Sequence, residues 1–305
     1  MLRALFITLS ESKSLRHFAE SNVLGQRMSR RFVAGMTVED CLAATAEVNK
    51  LGMSVSVDNL GENVTNLEEA KLSAKLYHEM LDAVAVRNLD ANVSLKLTHM
   101  GLDVDHQLAF DITSGLVKKA AAINNFVRVD MEGSPYTQKT LDLVHRLHAE
   151  PGNAGHVGAV IQAYLRRSES DVEKLLADRI RIRLCKGAYK EAAEIAFPGK
   201  DEVDANYVKL MKILLKSGTY HGIATHDEKM ITATKEFAST ERIPPDAYEF
   251  QMLHGVRRDL QQQLVKDGYR MRVYIPFGTE WYPYFMRRLA ERPANAMFIL
   301  KNLFK

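Results

Sequence analysis

One theme repeats along the chain: a short run of β-branched or apolar residues, closed by glycine or polar residues, then a stretch with apolar positions at helical spacing. Eight such runs fall at 53–60, 91–97, 126–131, 157–164, 179–184, 222–226, 248–253 and 271–275. Successive starts are separated by as few as 22 residues, from 157 to 179, and as many as 43, from 179 to 222. Each interval leaves room for a helix and a right-handed return to a parallel strand. The stretches 66–88 and 137–149 carry clear helical periodicity, and Ser168 with Asp171 reads as a capping box for a short helix to Leu176. Eight strands alternating with helices predict an α/β chain closed as a (β/α)8 barrel of the TIM type. Ahead of the first run, 37–50 reads as a helix capped by Thr37. Residues 1–50 then form a helical arm without a core of its own on a barrel of 51–305, in one domain, since no internal repeat and no linker rich in Pro, Gly or Ser marks a boundary.

With 46% hydrophobic and 26% charged residues, the chain has the composition of an ordinary globular protein and the length to bury a core around a cofactor. Its 41 Lys and Arg nearly balance 38 Asp and Glu and are dispersed, so no nucleic-acid partner is expected. Cys41 and Cys185 form no CxxC or metal-spaced pattern, which suits a reducing, cytoplasmic compartment. The apolar start at 1–9 is short and lacks a small-residue cleavage site, so no secretion signal is expected. No apolar run reaches the roughly 18 residues needed to span a bilayer. The tail 296–305 mixes apolar and basic residues, a composition suited to packing on the barrel, to packing on a second copy in a homo-oligomer, or to peripheral contact with the inner face of a membrane.

In a barrel of this type the chemistry gathers at the carboxyl ends of the strands. Polar residues are plentiful there: Asp58 and Glu62, then Lys96, Thr98 and His99, then Asp130 and Glu132, Gln162 and Tyr164, Arg183, Lys186 and Tyr189, Thr225, His226 and Asp227, His254, and Tyr274. Lys96 lies inside an alternating run, and a buried ammonium needs an anion, so either Asp130 on the neighbouring strand or a bound ligand should pair with it. His254 reads as structural. In the last stretch, Tyr284, Arg287, Arg288 and Glu291 fall at i, i+3, i+4 and i+7 of a helix opening near Pro283. Two adjacent guanidinium groups beside an aromatic ring suit a small carboxylate with an apolar body. No GxGxxG follows a strand and no GxxxxGK[ST] occurs, so neither a Rossmann nor a P-loop site is indicated. In 183–189, Lys186 and Gly187 just past a strand suit phosphate only weakly, because glycine is common there.

Taken in order, the segments 58–62, 94–98, 130–133, 162–166, 183–189, 224–226, 251–255 and 284–288 resemble the monofunctional bacterial proline dehydrogenases, flavoenzymes that oxidise L-proline to Δ1-pyrroline-5-carboxylate. The resemblance implies a distorted barrel holding FAD at the strand ends, with a quinone as electron acceptor. It implies Asp130 and Arg183 as catalytic positions, with Arg183 also beside the flavin ring. Lys96, Arg287 and Arg288 would bind the proline carboxylate, with Leu253, Tyr274 and Tyr284 as further substrate contacts. Met131, Gln162, Lys186, Gly187, Ala188, Thr225 and His226 match FAD-contacting positions, and Glu62 matches a gate residue that pairs with Arg287. Cys185 and Lys190 depart from the family pattern, which leaves the adenine contacts least defined.

Two other enzyme readings use the same residues. His99, Asp130, His226 and His254 are ligand types for a metal-dependent hydrolase, although no paired His-x-His or HExxH spacing occurs. Lys96 or Lys186, desolvated, would make a Schiff-base aldolase. A non-catalytic binding barrel would leave the charged rim without a substrate.

Overall fold

The computed structural model describes residues 31–291, with side chains as far as Met286. The arm before Arg31, the side chains of Arg287 and Arg288 and the tail 296–305 lie outside the described residues. Eight parallel strands close into a barrel in chain order, β1 (Ser54–Asn59), β2 (Ala91–Leu95), β3 (Val127–Val129), β4 (Val157–Gln162), β5 (Arg181–Cys185), β6 (His221–Ala224), β7 (Tyr248–Leu253) and β8 (Arg270–Phe277), with β8 back against β1. All eight expected runs are strands. The expected helices form too: α1 (Val38–Lys50), α2 (Leu67–Val86), α3 (His106–Ala122), α4 (Ser134–Ala149), α5 (Ser168–Ala177), α6 (Lys200–Lys216), α7 (Glu228–Thr240), α8 (Arg258–Lys266) and α9 (Trp281–Glu291).

The alternation of the strands explains where the core sits. Val55 and Val57, Val93 and Leu95, Ile182 and Leu184, Phe250 and Met252, and Val273 and Ile275 face outward into one apolar layer with the helices, together with residues such as Tyr77, Met80, Leu116, Val144 and Leu210. The residues between them point into the barrel, and they are polar: Ser56 and Asp58, Ser94, Arg128 and Asp130, Arg183, Glu249 and Gln251, Arg272 and Tyr274. Barrel interiors are usually packed with branched aliphatic side chains, so this one is built for charge.

The charged groups at the floor of the interior are hydrogen-bonded. At the floor, Arg272 Nε donates to Glu249 Oε1 at 2.6 Å and its Nη1 to Val55 O at 2.8 Å, while Arg128 donates to the carbonyls of Ala159 and Arg181. Burial alone would raise the Glu249 pKa, but the charge of Arg272 and hydrogen bonds from Arg272, Gln251 and Tyr220 hold it below the ordinary value. A buried ion pair with both partners satisfied is tolerable, whereas removing either partner is not.

Helix termini follow local chemistry, with one correction. Thr37 caps α1 as expected, its hydroxyl accepting from Asp40 N while the Asp40 carboxylate accepts from Thr37 N. Ser168, expected as a cap, is instead the first residue inside α5, and its hydroxyl donates to the carbonyls of Gln162 and Leu165. The cap position belongs to Arg167, whose guanidinium forks onto buried Asp171, so both members of the expected capping box have other partners.

The two ends of the barrel's circuit determine where the site lies. α1 packs over the seam where β8 meets β1. α9 therefore does not cover that seam and joins a second apolar cluster, in which Trp281, Tyr284, Phe285 and Met286 pack with Phe32, Val33, Leu60 and Val256. Leu60 and Val256 follow the carboxyl ends of β1 and β7, so α9 lies across the mouth where the polar residues gather.

Candidate active site

Six strands, β1, β2, β3, β5, β7 and β8, contribute residues on them or just past their ends to one hydrogen-bonded centre inside the mouth. Arg183 reaches from β5 across the barrel, its Nη1 to Asp130 Oδ1 at 2.7 Å, its Nη2 to Ser56 Oγ at 3.1 Å and its Nε to Gln251 Oε1 at 2.5 Å. Ser94 Oγ donates to Asp130 Oδ1 at 2.8 Å, and the Tyr274 hydroxyl donates to Asp130 Oδ2 at 2.8 Å. The Arg183 guanidinium also lies 5.2 Å from the centroid of the Tyr274 ring. The interior thus brings three of the expected residues, Asp130, Arg183 and Tyr274, into direct contact.

Of the two partners expected for Lys96, Asp130 or a bound ligand, Asp130 is engaged elsewhere, and the protein sets another anion beside the ammonium. Its Nζ lies 3.2 Å from Glu62 Oε2 and 3.4 Å from the Gly61 carbonyl. Asp130 is committed to Arg183, because the guanidinium spans the barrel to a carboxylate that the β3 ladder turns inward. Lys96 sits one residue beyond β2, level with the loop after β1, and that loop supplies the anion.

Buried Asp58 adds a titrating group beside this centre. Burial pushes its pKa up to about 7, the nearby charge of Asp130 adds to the rise, and Lys96 and hydrogen bonds with Tyr274 and Tyr77 oppose it. Between the ordinary carboxyl range and about 7, the folded chain keeps a proton on Asp58 that the unfolded chain releases. Stability from this group is therefore present at acid pH and lost as pH rises through that window. Asp58→Asn is expected to flatten the decline, read from urea midpoints at a series of pH values. A slope unchanged by the substitution would show that Asp58 is ionised throughout.

Around the rim, the expected cofactor positions occupy the ends of β3 to β6. Buried Met131 follows β3, and Gln162 Nε2 donates to the Glu132 carbonyl at 3.0 Å. Lys186 Nζ bridges Asp204 on α6 and Asp227, the cap residue of α7. Burial would lower its pKa, but the hydrogen bonds it donates to the two carboxylates raise it overall. Gly187 has φ +111°, and a Cβ there would lie 2.1 Å from the Tyr164 ring, so only glycine lets this turn lie flat on the aromatic face. Ala188 follows it, exposed. Thr225 Oγ1 accepts from Asp227 N at 3.1 Å, and His226 Nε2 accepts from Leu253 N at 2.9 Å. Leu253 and Tyr284 meet in the apolar cluster at the mouth.

These contacts weigh on the other two enzyme readings. A Schiff-base lysine needs a depressed pKa, whereas Lys186 is held protonated by two carboxylates and Lys96 faces Glu62. Among the described residues no group of three or more His, Cys, Asp or Glu side chains is placed to hold a metal ion. Burial lowers the pKa of His254 to about 4, with the charge of Arg258 adding to the effect. No helix among the described residues is long and apolar enough to cross a membrane.

Several members of the centre escape a reading of strand ends. Ser56, Ser94 and Gln251 each lie two residues below a candidate on the same strand, and period-two alternation marks them as facing inward. Tyr77, on α2, reaches Asp58 Oδ1 at 3.2 Å, and Asp204 reaches Lys186 from α6; neither carries a local signal.

Residues 41–301 match the family model for proline dehydrogenase. The chain belongs to the proline dehydrogenase family. It is 42% identical over 306 residues to proline dehydrogenase 1 of Bacillus subtilis subsp. natto, covering 100% of both chains. It is 37% identical over 308 residues to proline dehydrogenase of Deinococcus radiodurans, covering 100% of this chain and 98% of that one. Among solved structures, proline utilization A from Bdellovibrio bacteriovorus, inactivated by N-propargylglycine, superposes with a TM-score of 0.84 at 28% identity. That match covers 95% of this chain and 36% of the longer one, so the family's barrel is one part of a larger protein there. The (β/α)8 architecture expected from the rhythm of the chain is the architecture of this relative.

Proposed function

We propose that the protein oxidises L-proline to Δ1-pyrroline-5-carboxylate, the first step of proline catabolism to glutamate, with FAD as its resident cofactor and a quinone as the onward electron acceptor. Membership of the proline dehydrogenase family supports the substrate. The observation that carries the chemistry is the buried cation of Arg183, anchored by Asp130 at 2.7 Å inside a mouth that also holds Lys96. FAD, when bound, would supply the acceptor, at flavin N5, for the hydride that leaves C5 of proline.

The residues present suit that cofactor. Gly187 flattens the turn against Tyr164, Lys186 is held as an ammonium beside it, and Gln162 and Thr225 flank them on the adjoining strands. Arg183 is only 6% exposed, so its charge acts in a low-dielectric interior, where it would stabilise negative charge on a bound flavin ring. Lys96, with Arg287 and Arg288 from α9, would hold the substrate carboxylate, while Tyr274, Tyr284 and Leu253 would enclose the methylenes. Glu62 would act as the gate: paired with Lys96 at 3.2 Å here, it stands in the loop after strand one, whose neighbour strand eight leads on to Arg287.

The purified protein is expected to be yellow, with the visible absorption of an oxidised flavin, and to bleach when L-proline is added without oxygen. A colourless protein, or one whose flavin is left oxidised by proline, would overturn this reading.

A further inference from the structure

One buried side chain connects the charged floor of the barrel to Arg183, and neither binding nor chemistry uses it directly. Gln251 stands on β7, 4% exposed, between Glu249 and Arg183. Its Nε2 donates to Glu249 Oε1 at 2.6 Å, and its Oε1 accepts from Arg183 Nε at 2.5 Å.

An amide fits its site either way round unless its neighbours forbid one orientation. Here both neighbours forbid the same one. Glu249 is ionised, with Arg272 Nε on Oε1 at 2.6 Å and the Tyr220 hydroxyl on Oε2 at 2.9 Å. A carboxylate only accepts, so it demands the amide nitrogen and turns the amide oxygen away. Arg183 Nε–H only donates, so it demands that oxygen. β6 provides the space: a Cβ on Gly222 would fall 2.3 Å from the Gln251 nitrogen. The remaining guanidinium nitrogens are taken by Asp130 and Ser94 on one side and Ser56 on the other. Gln251 thus holds the one edge of the guanidinium that the other partners leave free to swing.

We infer that Gln251, oriented by Glu249, is the positioning residue for Arg183, setting the plane of the guanidinium and holding its charge at the place where the substrate and cofactor meet. The inference rests on the proposed function only in its consequence for the flavin; the placement of Arg183 stands apart from it. An outer partner that fixes a reactive group commonly matters as much as tenfold to a hundredfold in activity.

Two readouts on the full-length protein, as purified, test it. In protein labelled with 15N-arginine, the Nε–H signal of Arg183, identified by its disappearance in Arg183→Lys, is expected to be protected from solvent exchange. Gln251→Met keeps the length and removes the amide, and should abolish that protection. The same variant should lower kcat by about 10- to 100-fold with little change in KM for proline, and lower the flavin reduction potential. In an Arg183→Lys background, Gln251→Met should add nothing to either effect. Protection that survives in Gln251→Met, or additive effects in the double variant, would overturn the inference. Should the methionine variant fail to fold, Gln251→Glu decides. When protonated, this carboxyl reproduces both hydrogen bonds; ionised beside Glu249, it places a negative charge on Arg183. Its flavin potential should then fall more steeply with rising pH than that of the unsubstituted protein, and an identical pH dependence would overturn the inference. A protein that binds no flavin would remove the proposed function, while the Nε–H signal would still decide the role of Gln251.

Discussion

Lys96→Met is expected to raise the KM for proline by roughly 30- to 5,000-fold, the equivalent of about 2–5 kcal/mol for truncating one partner of a buried, charge-assisted contact. The Lys96 side chain is 14% exposed and faces Glu62 at 3.2 Å, so its charge is neither well solvated nor well screened. Methionine keeps the stem and removes the ammonium, which leaves a substrate carboxylate without one of its cations. Arg287→Met and Arg288→Met are expected to act in the same direction, each with flavin still bound. Steady-state kinetics on flavin-replete protein would check all three. Glu62→Gln separates the two roles of the lysine: it removes the ion pair and leaves the anchor. It is therefore expected to weaken binding far less than Lys96→Met, and equal losses would assign the effect to the Lys96–Glu62 pair.

The second large effect falls on the fold. Asp130→Ala is expected to destabilise the protein by about 3–5 kcal/mol, because it leaves the Arg183 guanidinium buried with its principal counter-charge removed. The pair stands at 2.7 Å with 8% and 12% of the two side chains exposed, and Ser94 and Tyr274 also lose the acceptor they share. Urea unfolding would show a lower midpoint at constant slope. Replacing both partners with apolar residues, as Asp130→Leu with Arg183→Met, should restore much of the loss, since no charge is left stranded. The restored protein should have no proline-oxidising activity. Additive destabilisation in the double variant would show that the two charges do not depend on each other.

The number of strands, their order and their parallel arrangement were legible in the chain because each is a local property. A run of alternating residues such as 248–253 sets its own inward and outward faces, and the intervals between runs admit only a helical return. Thr37 and Asp40 cap α1 by contacts within four residues. The candidate site's location at the strand ends follows from the same rhythm, and of the hydrogen-bonded centre the family resemblance, carried by short motifs on separate strands, named Asp130, Arg183 and Tyr274.

The partners of those members were not legible, because they depend on which residues closure of the barrel brings to one level. Lys96 and Asp130 are neighbours by strand order, yet Arg183 from β5 takes Asp130 and the loop after β1 supplies Glu62 to Lys96. Gln251 lies 68 residues from Arg183 in the chain, and only the register of β5, β6 and β7, with the gap left by Gly222, puts its amide against the guanidinium. The placement of α9 across the mouth likewise depends on α1 already covering the seam between β8 and β1. Local periodicity settles which way a side chain faces. The depth at which it meets a charge from another strand is a property of the closed ring, where each burial is tolerable only if a distant residue arrives to match it.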